Sequence, residues 1–211
     1  MAETLAQIPN DSIHKVTFGA EFTKILPEVL DSHNLHRVYA VVSGSLARTT
    51  DYPAKLKSLL GSNLVGIREG VSPHSPWDEC LQIAESIKKT NADCLVTLGG
   101  GSITDAAKVA VLALANDIDT IDGLEPLVDP AKIPMKAPQV PLIFIPTTLS
   151  AGEFHAFAGA RDPRLGDKVP FRHEGMQPLH IIEDPYLCKD TTPAWVWLST
   201  GILYVYVYIY I

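Results

Sequence analysis

The segment Asp93-Cys-Leu-Val-Thr-Leu-Gly-Gly-Gly-Ser-Ile-Thr-Asp-Ala-Ala-Lys108 limits what this chain can fold into more than any other. Cys94 to Leu98 reads as a buried strand, Gly99, Gly100 and Gly101 as a turn, and the residues from Ser102 as a helix. Ile103, Ala106, Ala107, Ala110, Val111 and Leu114 recur at the helical period, which leaves Lys108 facing water. Ser102 reads as the N-cap, and Asp105 as its partner in a variant of the capping box. Glycine permits backbone angles that other residues avoid and lets a ligand approach the main chain. The free N–H groups and positive dipole end of the helix suit a phosphate. The segment lacks both G-x-G-x-x-G and G-x-x-x-x-G-K-[ST]. A tight βα turn without a ligand satisfies the same residues, so the motif alone leaves both readings open.

A second segment, Ile145-Pro-Thr-Thr-Leu-Ser-Ala-Gly-Glu153, follows another apolar run, Val140 to Ile145. Together the two segments resemble the iron-containing alcohol dehydrogenase family, which includes the maleylacetate reductases. The resemblance runs from Thr17-Phe-Gly19 to Ser199-Thr-Gly201, nearly the whole chain. It implies an α/β fold: a doubly wound, mostly parallel Rossmann-like sheet with a β-hairpin insertion. It also implies hydride transfer between NAD or NADP and a small alcohol or carbonyl substrate. In the family the glycine turn holds the cofactor pyrophosphate and the Pro-Thr-Thr loop lines the adenosine side. Those roles fall on Gly99, Gly100, Gly101, Ser102, Asp105, Thr147 and Thr148. A hairpin lysine of the family reaches the nicotinamide ribose, and Lys168 is its match; a solvated hairpin lysine fits that position as well. Where the family often has an aspartate that disfavours NADP, this chain has Gly44, which leaves NAD versus NADP open.

The rest of the chain has the rhythm such a sheet needs. Ile13 to Gly19 alternates as a strand, and Glu21 to Leu30 places Phe22, Ile25, Leu26 and Val29 on one helical face. Arg37 to Val42 reads as a strand with a turn at Ser43-Gly-Ser45, Asp51 to Leu60 as a helix, and Leu64 to Arg68 as a strand. Ser75 caps the next helix, with Pro76 at its first position and Asp78 at its positive end. Alternation of strand and helix calls for a parallel sheet with right-handed crossovers. Asn116 to Gln139 breaks the rhythm and reads as a long surface loop with one turn of helix. Phe154 to Ala160 and Lys168 to His173 make a hairpin, and Leu179 to Glu183 is the last strand.

Composition sets outer limits. At 211 residues, 46% hydrophobic and 19% charged, the chain has apolar material for a sizeable core. A formal charge of −7 without a basic cluster argues against nucleic acid. Cys80, Cys94 and Cys188 show no C-x-x-C spacing, and Met1 to Asn10 lacks the pattern of a signal peptide, so the expected compartment is the cytoplasm. His33, His36, His155, His173 and His180 lie at spacings unlike zinc sites, and Ser150 lacks G-x-S-x-G around it.

The resemblance ends at Gly201. Iron or zinc is expected for the family, but its aspartate and first histidine ligands fall on Leu203 and Val207, and two more histidines would lie past Ile211. No metal site and no catalytic residue is therefore expected here, and the family's C-terminal helical domain reads as missing. The expected division is a dinucleotide-binding domain over 1–192, then 193–211 as the start of a truncated helical domain with an aberrant tail. Ile202 to Ile211 fits an edge strand by its alternating Tyr, Val and Ile; Ala194 to Ile211, 18 residues without charge, is marginal as a membrane span. The favoured account is read-through or a frameshift in the coding sequence of a longer enzyme. Apolar surface left by a missing domain favours pairing with a relative or a homo-oligomer.

Overall fold

The computed structural model describes residues 3–5, 15–129 and 133–191; the expectations for 193–211 lie outside the described residues. Three apolar runs set the centre of the molecule: β3 (Val38–Val42), β5 (Cys94–Gly99) and β6 (Leu142–Pro146), in which every residue is buried. A strand buried on both faces belongs inside a parallel sheet covered by helices on each side. The full order is β1 (Glu3–Leu5), β2 (Lys15–Phe18), β9 (His180–Glu183), β6, β5, β3 and β4 (Leu64–Glu69), with β1 alone antiparallel to its neighbour.

Alternate side chains of these strands feed two cores. Val38, Ala40, Val42, Cys94, Val96 and Leu98 meet α1 (Phe22–Ser32) and α3 (Tyr52–Leu60) through Phe22, Leu26 and Leu56. Tyr39, Val41, Leu95 and Phe144 face the other way, onto α4 (Trp77–Thr90) and α5 (Gly101–Ala115). The sheet is thus doubly wound, as expected. Short helices α2 (Gly44–Thr49), α6 (Ile121–Leu124) and α7 (Pro185–Thr191) complete the described chain. Asp184 caps α7 with one carboxylate oxygen, accepting from the Tyr186 and Leu187 amides at 2.9 and 3.0 Å. Its other oxygen accepts from the Phe22 amide at 2.9 Å, so one buried side chain holds two helix starts.

The expected hairpin forms as a separate sheet, β7 (Phe157–Arg161) and β8 (Lys168–Arg172). It lies on α5 and α4: Ala158, Ala160 and Phe171 are fully buried, the Trp77 indole N–H donates to the Ala160 carbonyl, and Trp77 meets Phe171 edge to face at 5.5 Å. That covering explains why Lys108 does not face water. With the sheet on one side of α5 and the hairpin segment on the other, Lys108 is fully buried and donates to the carbonyls of Gly152, His155 and Phe157.

Two capping assignments also change. Gly100 is the N-cap of α5, so Ser102 is already inside the helix and no capping box forms; Asp105 instead pairs with Lys168 at 3.0 Å. At α4 the N-cap is Pro76, because Ser75 is left-handed (φ 53°) and turns its hydroxyl to the Ser102 carbonyl at 2.8 Å.

Candidate dinucleotide site

The chain runs from β3 outward to β4, then returns to the other side of β3 as β5. Between β3 and β5 the winding direction switches, and the crevice past the carboxyl ends of such strands is where open α/β sheets bind ligands. A cleft of about 960 Å³ opens there. Its floor is Ser43 and Gly44 after β3, Gly100 to Ile103 after β5, and Thr147 and Thr148 after β6. The Ser43 amide donates to the Leu98 carbonyl at 2.8 Å, and the Thr147 amide to the Gly99 carbonyl at 3.1 Å, which ties the three strand ends together.

The glycines are needed for close approach, not for unusual angles. None of Gly99, Gly100 and Gly101 has a positive φ, and Gly100 is extended at φ −91°. A Cβ on Gly99 would stand 2.8 Å from the Ile103 side chain and 3.0 Å from that of Ser43. On Gly100 it would stand 3.1 Å from the Thr148 methyl and hydroxyl, and on Gly101 3.1 Å from the Ser150 hydroxyl. The turn is bare so that the loop after β6 can fold onto the start of α5. The first N–H groups of a 15-residue helix, which have no partners within the helix, then border the cleft.

The structure brings Gly100, Gly101, Ser102, Thr147 and Thr148 to this one cleft, with Gly99 directly beneath. Asp105 and Lys168 are absent from its lining and form their own pair beside Gly152. Near that pair, Lys108 and Glu153 are both buried, which sequence reading missed. Burial pulls the Lys108 ammonium down to about 8, against the opposing charges of Asp105 and Glu153. Burial pushes the Glu153 carboxyl up to about 7, aided by Glu183, and its Oε2 has no hydrogen-bond partner among the described residues. Glu153, Thr148 and Cys188 border a second, smaller pocket of about 200 Å³.

Arg48 and Arg68 also line the main cleft. Arg68 is engaged: it donates to Glu79 at 2.7 Å, Gln82 at 2.9 Å and the Gly70 carbonyl at 3.0 Å. Against the upward pull of burial, hydrogen bonds from Ser72 and Arg68 hold the Glu79 carboxyl below its usual value. Arg48 stands one helical turn after Gly44, a spacing visible in the sequence once the Ser43 turn is read as helical.

The family model for iron-containing alcohol dehydrogenases matches residues 14–185. The chain belongs to this family. Among curated relatives, Dehydrogenase ALT3 of Alternaria alternata is 40% identical over 169 residues, 79% of this chain and 44% of that protein. Dehydrogenase FUM7 of Gibberella moniliformis is 34% identical over 197 residues, 89% of this chain and 46% of that protein. The chain therefore spans about half the length of these curated relatives. Two solved structures share the fold. Sulfoacetaldehyde reductase from Bifidobacterium kashiwanohense, in complex with NAD+, superposes with a TM-score of 0.80 at 23% identity, over 90% of this chain and 49% of that one. NADH-dependent butanol dehydrogenase A from Thermotoga maritima gives 0.75 at 18% identity, over 92% and 48%.

A dinucleotide fits what this member of the iron-containing family presents: a cleft at the switch point and a turn cleared of side chains. Iron does not fit the described residues, which contain no group of three His, Cys, Asp or Glu able to hold a metal. No described helix is long and apolar enough to cross a membrane.

Proposed function

We propose that this chain binds a nicotinamide dinucleotide in the cleft at the ends of β3, β5 and β6 and serves an oxidoreductase reaction. The observation that carries the reading is the Gly99–Gly101 turn, where a side chain would clash with Ile103 at Gly99 and crowd Thr148 or Ser150 at Gly100 and Gly101. The pyrophosphate lies against the start of α5, contacted by the Gly101 and Ser102 amides and the Thr147 and Thr148 side chains. Hydride then passes between the nicotinamide ring and a small alcohol or carbonyl compound. Lys168, held by Asp105, stands on the hairpin side for the nicotinamide ribose. The unit responsible is 1–192, and a reducing cytoplasmic setting suits three unpaired cysteines, two of them buried.

A second reading is a cofactor-binding unit that does not turn over by itself or that pairs with a longer relative.

Fluorescence titration of the whole chain with NADH and NADPH, beside Gly100→Val, tests the first reading. Saturable binding is expected, weakened about tenfold or more in the variant, whose added methyls displace Thr148. A folded protein that titrates with neither cofactor sinks it. Oxidation of NADPH in the presence of an aldehyde panel separates the two readings: turnover by the chain alone rules out the second.

A further inference from the structure

Resting on the dinucleotide reading, we propose that the cleft is built for a 2′-phosphorylated cofactor, NADP or NADPH, and that Arg48 holds its 2′-phosphate. Two general devices separate the cofactors in sheets of this kind. An acid after the neighbouring strand accepts from the ribose 2′-hydroxyl, or an arginine there meets the 2′-phosphate. The strand beside the glycine turn is β3, and its end shows the second device.

An acid is crowded where β3 ends. A Cβ on Gly44 would stand 3.2 Å from Gly70 Cα, so a side chain there requires the Gly70 backbone to give by a few tenths of an ångström. Gly70 cannot yield its own place, since its φ of +95° favours glycine. The same imagined Cβ stands 3.2 Å from Arg48 Nη1, which shows the guanidinium folded back over Gly44. Ser43 and Ser45 add two hydroxyls at the same strand end, bonded to each other at 2.8 Å.

Charge points the same way. Of the acids that line the cleft, Glu69 pairs with Lys57 and Glu79 with Arg68, each at 2.7 Å. Asp78 remains, on the first turn of α4, where it also borders the next groove with Leu81 and Lys88. Arg68 is spent on Glu79, whereas Arg48 is exposed and makes no hydrogen bond or ion pair with any described residue. A guanidinium with open donors takes a phosphate dianion in a forked, charge-assisted contact, which a ribose hydroxyl cannot repay.

The test titrates the whole chain and Arg48→Gln with NADPH and NADH, with adenosine 2′,5′-bisphosphate and 5′-AMP as competitors. NADPH is expected to bind about tenfold or more tighter than NADH, and adenosine 2′,5′-bisphosphate to compete where 5′-AMP does so weakly. Arg48→Gln is expected to remove most of that preference and to leave NADH affinity within about twofold, since Arg48 makes no hydrogen bond or ion pair with a described residue. Gly44→Asp, where it folds, shifts preference toward NADH. Equal or tighter binding of NADH, or an unchanged ratio in Arg48→Gln, overturns the assignment. Failure of both cofactors to bind overturns the dinucleotide reading beneath it, and the two failures are told apart by whether NADH titrates.

Discussion

Glu153 is 2% exposed, its Oε2 has no hydrogen-bond partner among the described residues, and burial lifts its carboxyl from an ordinary 4.5 to about 7. A carboxyl with a raised folded value is protonated in the native state while the unfolded chain has already released the proton. Its contribution is fully present below 4.5 and is lost as pH rises through 7. Glu153→Gln keeps the shape and removes the titration. The variant is therefore expected to gain roughly 1–3 kcal/mol on the wild type between pH 5 and pH 8, read by urea unfolding at both. Parallel pH profiles for the two proteins would mean that Glu153 is already ionised in the fold at pH 5. His180 works in the opposite sense: burial presses it to about 4, so it weakens the fold as pH falls from 6.5. It is shared by both proteins and cancels in the comparison.

Helix α5 and the hairpin show what local sequence does and does not specify. The apolar period around Ile103, Ala106 and Ala110 identified the sheet face correctly, because the sheet is what an amphipathic pattern reports. It could not report that β7 would cover the opposite face, since that contact joins residues some fifty positions apart, such as Lys108 and Phe157. The strands were legible because continuous apolar runs have few alternatives, but the turn after β5 is shorter than three glycines, with Gly99 closing β5 and Gly101 opening α5. Caps were less legible: Ser75 has the right chemistry but a left-handed backbone imposed by its contact with Ser102. Arg48 went unread because the Ser43 turn starts a six-residue helix, too short for periodicity to register. Lys108 now acts as a rivet between α5 and the segment from Gly152 to Phe157. Lys108→Met preserves the stem and strands three carbonyls, at an expected cost of roughly 2–5 kcal/mol. Amide exchange should rise first in β7 and β8 while β3 and β5 stay protected. Uniform loss of protection across the sheet would show that the hairpin does not open separately.

Across the whole molecule, a chain of formal charge −7 is proposed to receive a polyanion. General attraction cannot achieve this, because the summed field repels the ligand. Binding must come from local features: the start of α5, a turn without side chains, and Arg48 on α2 just past β3, which pairs with no described residue. All are assembled from three strand ends that exist together only in the native sheet, so the ligand has nothing to hold in the unfolded chain. Cofactor at about 100 times its dissociation constant then adds about 2.7 kcal/mol to the stability of the fold. For a domain of this size that is a rise in Tm of roughly 5–10 °C, read by thermal unfolding with and without NADPH. Gly100→Val should lose about half of the rise or more with either cofactor, while Arg48→Gln should keep the rise with NADH and lose much of the rise with NADPH. Salt should erode the NADPH increment faster than the NADH one, because Arg48 is exposed and its contact with a phosphate is screened within about 10 Å at 0.1 M. A rise with NADPH that survives Gly100→Val intact would place the cofactor away from the turn and remove the reason for its three glycines.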